Sequence, residues 1–464
     1  MTATRGQYRK MLSYLKQRIN FKGELFASTF TYGASALFRL ASSLVLTRLL
    51  TPAAYGIFGI LYSFLFIVEL VSDVGFTGLL IRHPRGREPV FVHTIWTIRL
   101  IRSVINCLII FFGAPIAAHI YNLPQLTDPL RLLSLMFLLA GGESMAYILA
   151  QRDQRARISN YADMIANAAM AIFVIGVALV IRDHYALILG ALFRRLLITV
   201  SSHFFYRNVG VAIAFDREAV REQFRFARFA IPSSILTVVL SQYDKVLLLK
   251  FSSLSLVGIY TIAGNIVAPV SGVIVHNARA VLYPRFAAYF RTDRSSARVR
   301  YYSENRRLLL IGVLIPALVA GFGNLFVQLL YDTRYAQAGH ILMVLALGML
   351  LSAFLNASEN MLVASGKNQF VFAGNAIWLV SAIPASFLGF YMFGFEGFLW
   401  FNLAARLPSL IYFHYEQRRY GLLNLRYEFR LLWMSLGLFI GCLLISHLLL
   451  AVMPASFLHL RFRK

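Results

Sequence analysis

Apolar stretches of about 20 residues recur from one end of the sequence to the other, and each is long enough to cross a bilayer as a helix. Of the residues, 59% are hydrophobic and only 14% are charged, and this composition excludes a soluble globular protein. The sequence predicts an all-α polytopic membrane protein. The thirteen predicted spans are 27–50, 54–81, 90–117, 130–150, 159–181, 185–206, 226–250, 256–283, 308–331, 340–364, 370–393, 395–415 and 431–453.

The formal net charge of +25 raises the question of a nucleic-acid partner, and the position of the charges decides it. Between the predicted spans, every second connection carries one to seven Lys and Arg residues, whereas each intervening connection carries at most one. This alternation is the positive-inside pattern of a membrane protein, and it predicts a cytoplasmic N-terminus. Residues 1–26 form a basic segment, predicted to lie as an amphipathic helix on anionic lipid. We therefore expect membrane lipids as partners and no nucleic acid.

One phrase of the sequence occurs twice, half a chain apart. LVLTRLLTPAAYGIFGI at Leu44–Ile60 aligns without a gap with VLLLKFSSLSLVGIYTI at Val246–Ile262, so that Gly56 falls on Gly258. Both copies begin from the predicted cytoplasmic side, which favours parallel repeats of six helices. A chance likeness of two hydrophobic hairpins is the alternative. The repeat predicts an N-lobe at 27–206, a cytoplasmic linker at 207–225 and a C-lobe at 226–415, followed by a cytoplasmic connection, an additional span and a basic tail within 416–464.

Each copy of the phrase has the local signals of a tight turn between two helices. Thr51 is a favourable N-cap, and Pro52 suits the first helical position, where its missing N–H has no partner in any case. Ser253 is predicted to cap the corresponding helix of the second copy.

These residues also carry a family resemblance. LTRLLTPAAYGIFGI resembles the first hairpin of bacterial polysaccharide flippases in the multidrug/oligosaccharidyl-lipid/polysaccharide (MOP) exporter superfamily, nearest the colanic-acid and exopolysaccharide exporter branch. The second copy is similar through Asp244–Lys245 and through Gly258, Tyr260 and Ala263. The resemblance implies two six-helix lobes around a central cavity that opens alternately to each side. The single span predicted after the twelfth is a departure, because relatives often carry two.

Charged residues at membrane depth are the candidate site residues, because each costs about 2.5–3.5 kcal/mol to insert at the centre of a span. Those predicted nearest mid-membrane are six arginines and one glutamate: Arg39, Arg99, Arg102, Arg194, Arg195, Arg406 and Glu69. Asp73 and Glu143 are predicted nearer the inner boundary, and Asp244 and Lys245 in the outer third of the membrane. The excess of guanidinium groups indicates a water-filled cavity that binds an anion, with phosphate well matched to arginine.

Each candidate has a structural alternative. Arg102 could pair internally with Glu69 or Asp73, and Arg194 and Arg195 could reach the cytoplasmic headgroups. The pair Asp244–Lys245 is either a gate or a surface pair near the interface, and Arg406 is either a cavity residue or a structural charge. Arg39 has the strongest functional case. The second copy of the repeat has serine at the equivalent place, so the fold of the repeat alone does not require an arginine there.

No phosphate loop, zinc-protease or nucleophile-elbow motif occurs in the sequence, so we expect neither an enzyme nor a cofactor or metal. We interpret the chain as an inner-membrane flippase that moves a polyprenyl-diphosphate-linked oligosaccharide for exopolysaccharide, capsule or O-antigen synthesis. Glu69, Asp73, Asp244 and Lys245 are assigned to coupling or gating. A polysaccharide polymerase and a chain-length regulator are possible partners. The alternatives are an ion-coupled multidrug antiporter, expected to have an acidic cavity, and a membrane enzyme, expected to have large outer loops.

Overall fold

The structure is a computed structural model that describes residues 30–204 (apart from 154 and 156), 210–277 and 297–452 (apart from 366). The described residues form helices and no β-strand, which confirms the all-α prediction. Among them, eight helices are long and apolar enough to cross a membrane, or nine if one bent pair is a single span. The chain is a multi-pass membrane protein. The basic segment 1–26 and the tail after 452 lie outside the described residues.

Among the described residues, eight helices precede the region of the predicted linker. They are α1 (30–49), α2 (Pro52–Val71), α3 (Phe76–Arg82), α4 (Pro89–Ile120), α5 (Thr127–Gly142), α6 (Ala146–Arg152), α7 (Arg157–Val180) and α8 (His184–Phe204). Seven further described helices follow: α9 (Arg217–Phe251), α10 (Leu254–Asn277), α11 (Ala297–Leu330), α12 (Ala338–Ala364), α13 (Asn368–Ala404), α14 (Leu407–Arg419) and α15 (Leu425–Val452). Within its described residues, each of the thirteen predicted spans coincides with one of these helices or with parts of one or two of them.

Three of the predicted spans are not continuous helices, and one of them, 395–415, is interrupted at Ala405 and Arg406 between α13 and α14. The span predicted at 54–81 is interrupted between α2 and α3, where Gly75 adopts a left-handed backbone conformation with φ 76°. The span predicted at 130–150 bends by 54° between α5 and α6. Hydropathy alone does not reveal such breaks, because the residues on both sides are equally apolar. By contrast, the predicted boundary near 394 is present, since Gly394 interrupts α13 with φ 64°.

The residues group into two compact units. The described residues of the first unit lie within Met1–Ser42 and Val68–Ser234, and those of the second within Ser43–Ile67 and Ile235–Lys464. In the first unit, a buried apolar cluster joins α3, α4 and α6 through residues such as Leu80, Phe91 and Leu149. In the second, a larger cluster joins α11, α12 and α15, with Val313, Phe354 and Leu431 among its members. The lobe limits 27–206 and 226–415 remain a prediction.

The two copies of the repeated phrase meet inside the second unit. A Cβ atom on Gly56 would lie 2.0 Å from the carbonyl oxygen of Leu254, and one on Gly258 would lie 1.8 Å from that of Pro52. Pro52 and Leu254 are themselves equivalent positions of the repeat, so the crossing is locally pseudo-symmetric. Only glycine permits backbones to approach so closely.

The caps predicted for this crossing are confirmed. The Thr51 hydroxyl accepts the Ala54 N–H at 3.3 Å, and the Ser253 hydroxyl accepts the Leu256 N–H at 3.3 Å. A loop of the second half completes the turn, because the Tyr335 hydroxyl donates to the Leu50 carbonyl at 3.0 Å. Each helix end at the crossing therefore has a partner for polar groups that its own helix leaves unpaired.

Candidate functional site

Three of the predicted arginines come together in the first unit around α4. Arg99 of α4 and Arg195 of α8 both donate to the Oε2 atom of Glu143, each at 2.8 Å. The side chains of Arg99 and Glu143 are each 12% exposed, and that of Arg195 is 19% exposed. Arg102 follows Arg99 by one helical turn and lies within electrostatic range of both Arg99 and Arg195. We call Arg99, Arg102, Arg195 and Glu143 the arginine cluster.

Glu143 is placed by the break between α5 and α6. The break leaves backbone groups without helical partners, and neighbouring side chains bind them. The Trp96 indole donates to the Glu143 carbonyl at 3.2 Å, and the Ser144 N–H donates to the Ser202 hydroxyl at 2.9 Å. The Thr199 hydroxyl donates to the Leu139 carbonyl at 2.7 Å. Irregular backbone at membrane depth is stable only where protein groups satisfy it in this way.

Arg102 lies against the other break, between α2 and α3. Its guanidinium donates to the carbonyls of Glu69 and Ser72 at 3.4 and 3.3 Å, and it lies 5.3 Å from the centroid of the Phe76 ring. The Asn106 amide donates to the Ser72 hydroxyl at 2.7 Å. The Arg102 Nε atom is buried and has no hydrogen-bond partner in the described structure. The two helix breaks therefore hold successive turns of α4.

The carboxylates lie closer to the arginines than the sequence predicted. Glu143, assigned to the inner boundary, is the direct partner of Arg99 and Arg195. Arg194, expected at the headgroups or the cavity, pairs instead with Asp163, a residue that the sequence analysis did not single out, and also donates to Asn167 at 3.1 Å. Two of the six arginines therefore share one carboxylate and a third pairs with another, and the sequence analysis predicted neither pairing.

Glu69 and Asp73 lie near the cluster without forming an ion pair in it. The Glu69 side chain is exposed, whereas Asp73 accepts the Gly75 N–H at 2.9 Å and thereby shapes the break. Arg102 lies within electrostatic range of both carboxylates. Arg102 therefore binds the backbone carbonyls of Glu69 and Ser72, and no ion pair joins it to either acid in the described structure.

The remaining candidates lie elsewhere. Arg39 is an exposed residue of α1, and no ion pair links it to another residue of the described ranges. In the second unit, Arg406 packs 5.3 Å from the Trp378 ring centroid, and its Nε atom is buried without a hydrogen-bond partner in that part of the structure. Asp244 accepts the Tyr260 hydroxyl at 2.6 Å, and the neighbouring Lys245 is half-buried.

The geometry of the arginine cluster suits an anion. A guanidinium offers five N–H donors, and Glu143 occupies one donor of Arg99 and one of Arg195. The shared carboxylate fixes the orientation of both groups and leaves donors for a further acceptor. The sequence feature that points to Glu143 is the phrase Gly-Gly-Glu-Ser at 141–144, in which a charged residue follows two glycines inside an apolar run.

The sequence matches the family described as "Polysaccharide biosynthesis protein" over residues 45–339, more than half of the chain. The chain belongs to this family. Among curated relatives, the teichuronic acid biosynthesis protein TuaB of Bacillus subtilis is 23% identical over 66% of this chain and 63% of its own length. The succinoglycan biosynthesis transport protein ExoT of Rhizobium meliloti is 22% identical over 65% of this chain and 61% of its own length. The chain thus spans less than two thirds of these two relatives.

A third curated relative is the lipopolysaccharide biosynthesis protein WzxC of Escherichia coli, which is 22% identical over 77% of this chain and 73% of its own length. Among solved structures, the inward closed conformation of the lipid II flippase MurJ is similar with a TM-score of 0.68 and 11% identity, over 95% of this chain and 94% of that one. An inward-facing multidrug resistance MATE transporter of the MOP superfamily is similar with a TM-score of 0.64 and 14% identity, over 83% and 94%. These structural similarities establish a shared fold. The family match confirms the resemblance to proteins of polysaccharide biosynthesis.

Proposed function

We propose that the protein moves a polyprenyl-diphosphate-linked oligosaccharide across the inner membrane by alternating access. The observation that carries the proposal is the arginine cluster, three guanidinium groups gathered at two helix breaks of a membrane protein of the polysaccharide biosynthesis family. Charges at membrane depth are expensive and mark substrate pathways. The names of TuaB, ExoT and WzxC, and the lipid II flippase among the structural neighbours, support a polysaccharide precursor as the load.

In this proposal, the arginines bind the diphosphate and the sugars pass in water. Arginine binds phosphate through two parallel N–H···O contacts, which a lysine does not reproduce. Glu143 holds Arg99 and Arg195 in place before the substrate arrives, so that little side-chain entropy is lost on binding. Of the three arginines, Arg102 is the most available to the diphosphate, because no carboxylate forms an ion pair with it in the described structure.

The orientation and the partners belong to the same proposal. The alternation of connections rich and poor in Lys and Arg supports a cytoplasmic N-terminus in the inner membrane. The load would be assembled on the cytoplasmic face and consumed on the outer face by a polysaccharide polymerase with its chain-length regulator. Glu69, Asp73, Asp244 and Lys245 are proposed as coupling or gating residues.

The test is a deletion strain, complemented with variants. The deletion should accumulate lipid-linked repeat units on the cytoplasmic leaflet, and Arg102→Gln should restore export at least about tenfold less well than wild type, at a normal membrane level. Arg131→Gln is the matched control, because Arg131 is also a unit-one arginine but pairs with the exposed Asp128 at 3.7 Å. Normal export with Arg102→Gln would contradict the role of the cluster. A deletion that changes cationic-drug resistance but not export would instead support the antiporter.

A further inference from the structure

A second cationic site lies in the second unit, far along the sequence from the arginine cluster. It is a cavity of about 400 Å³ between the N-terminal parts of α11 and α15. We call it the boundary pocket, and the residues that matter are Tyr302, Arg306, Leu310, Tyr427, Arg430 and Leu431. None of them was a candidate in the sequence analysis.

The two helices that form the boundary pocket run in the same direction. Near their N-terminal ends, the rings of Tyr302 and Tyr427 lie 5.4 Å apart. About five turns further on, Gly321 of α11 packs against Cys442 of α15. Both N-terminal ends therefore lie on the same side of the membrane, and the arginines near them share that side.

The position along the helices places the arginines at the border of the apolar region. The apolar part of α11 begins at Leu309, three residues after Arg306. In α15, Arg430 is followed directly by the apolar run that starts at Leu431. A group bound between the two arginines would therefore lie where a helix passes from headgroups to hydrocarbon.

Three polar groups of the boundary pocket have no partner among the described residues that would explain them. Arg306 and Arg430 are exposed, and neither forms an ion pair with another residue in the described ranges. Both lie within electrostatic range of Tyr427. The Tyr427 hydroxyl is buried and has no hydrogen-bond partner in the same ranges, although a buried hydroxyl without one is costly.

Glu428 of α15, two residues before Arg430, is bound inside the protein. Glu428 is buried and accepts the Tyr302 hydroxyl at 2.6 Å through Oε1, and its Oε2 lies 2.5 Å from Nε2 of His414. Tyr302 also accepts the Asn424 N–H at 3.1 Å. These hydrogen bonds fix the wall of the boundary pocket and occupy both oxygens of the Glu428 carboxylate. The described residues therefore offer no acceptor to the two guanidiniums or to the Tyr427 hydroxyl.

We propose that the boundary pocket binds the phosphate group of an anionic lipid. Two arginines and a tyrosine hydroxyl supply donors to the phosphate, and the apolar side chains of Leu310 and Leu431 contact the start of the acyl or prenyl chain. The lipid is either an anionic phospholipid of the bilayer or a polyprenyl phosphate, which share this chemistry. The site does not depend on the proposed transport function, because it shares no residue with the arginine cluster.

The experiment measures lipid binding to the purified full-length protein in nanodiscs of phosphatidylcholine. Phosphatidylglycerol and undecaprenyl phosphate are titrated separately, and bound lipid is counted by native mass spectrometry. The double variant Arg306→Gln, Arg430→Gln should lose at least about tenfold in affinity for the lipid that binds. The control is Arg298→Gln, Arg418→Gln, which removes the same charge from two exposed arginines outside the pocket.

The outcomes separate the possible ligands. Loss confined to phosphatidylglycerol assigns a bilayer lipid, and loss confined to undecaprenyl phosphate assigns a prenyl carrier. Equal loss in the control pair, no loss in the double variant, or binding of inorganic phosphate alone would overturn the proposal. Tyr427→Phe removes one hydroxyl and no charge, so it should weaken binding even if the double variant folds poorly.

Discussion

Replacing Glu143 by glutamine tests the arrangement of the arginine cluster most directly. The side chain keeps its shape and an oxygen acceptor but loses the charge that faces Arg99 and Arg195, each donating at 2.8 Å. With the two guanidiniums only 12% and 19% exposed, water replaces little of that lost attraction. Leaving a buried charge without its partner typically costs about 3–5 kcal/mol. We expect Glu143→Gln to shift the unfolding equilibrium by about a hundred- to several thousandfold.

Removing one arginine should have a smaller effect. Arg99→Gln or Arg195→Gln leaves Glu143 with one guanidinium partner, so we expect a loss near the cost of one charged hydrogen bond, about 1.5–3 kcal/mol. Combining Glu143→Gln with Arg195→Gln should recover part of the stability lost by Glu143→Gln alone, because one fewer unpaired cation is buried. This order of stabilities follows only if the carboxylate is shared.

The assay is thermal unfolding of purified variants in detergent, followed by fluorescence-detected size-exclusion chromatography. Glu396→Gln is the control, because Glu396 forms a pair with His340 at 2.8 Å but is 57% exposed, and exposed pairs contribute at most about 1 kcal/mol. An unfolding temperature for Glu143→Gln equal to that of the control would refute the reasoning. It would mean that water already screens the two arginines and that no buried carboxylate fixes them.

Three further predictions concern other parts of the chain. Gly56→Leu and Gly258→Leu should each lower the yield of folded protein, because the new Cβ forces the backbones at the crossing apart by about 1 Å; yields at wild-type level would contradict this. The pKa of Asp216 is lowered by a backbone N–H two residues on and by Arg85, so its stabilising contribution is present above the ordinary aspartate pKa and is lost as pH falls through the lowered value. After correction for the intrinsic pH dependence of exchange, protection of the amides at 210–223 should therefore fall in acid, and Asp216→Asn should remove that change. Arg39→Ala should abolish export at normal membrane abundance and Arg39→Lys should restore it only in part; full export by Arg39→Ala would exclude a substrate contact.

Much of the fold could be predicted because its signals are local. Apolar runs report the helices directly, since a backbone in hydrocarbon has to satisfy its own hydrogen bonds. Thr51 and Ser253 were identifiable as caps from the residues next to them, and Gly394 separates two spans where the sequence predicts a boundary. The repeated phrase pointed to a pair of related hairpins. That its two glycines would touch one another was not contained in the repeat.

The arginine cluster was only half predictable. The sequence indicated which cations lie at membrane depth, since the cost of burying a charge depends on the residue and its place in a span. It did not indicate the partners, because Glu143 is 44 residues from Arg99 and 52 from Arg195, and such pairing depends on how the helices pack. The breaks before Gly75 and after Gly142 depend on packing too, because side chains of other helices bind the backbone that each break exposes. The membrane helices and the cations can therefore be predicted from local sequence. Which charges neutralise one another depends on tertiary packing, because the residues of a helix specify its own hydrogen bonds but not which helices lie beside it.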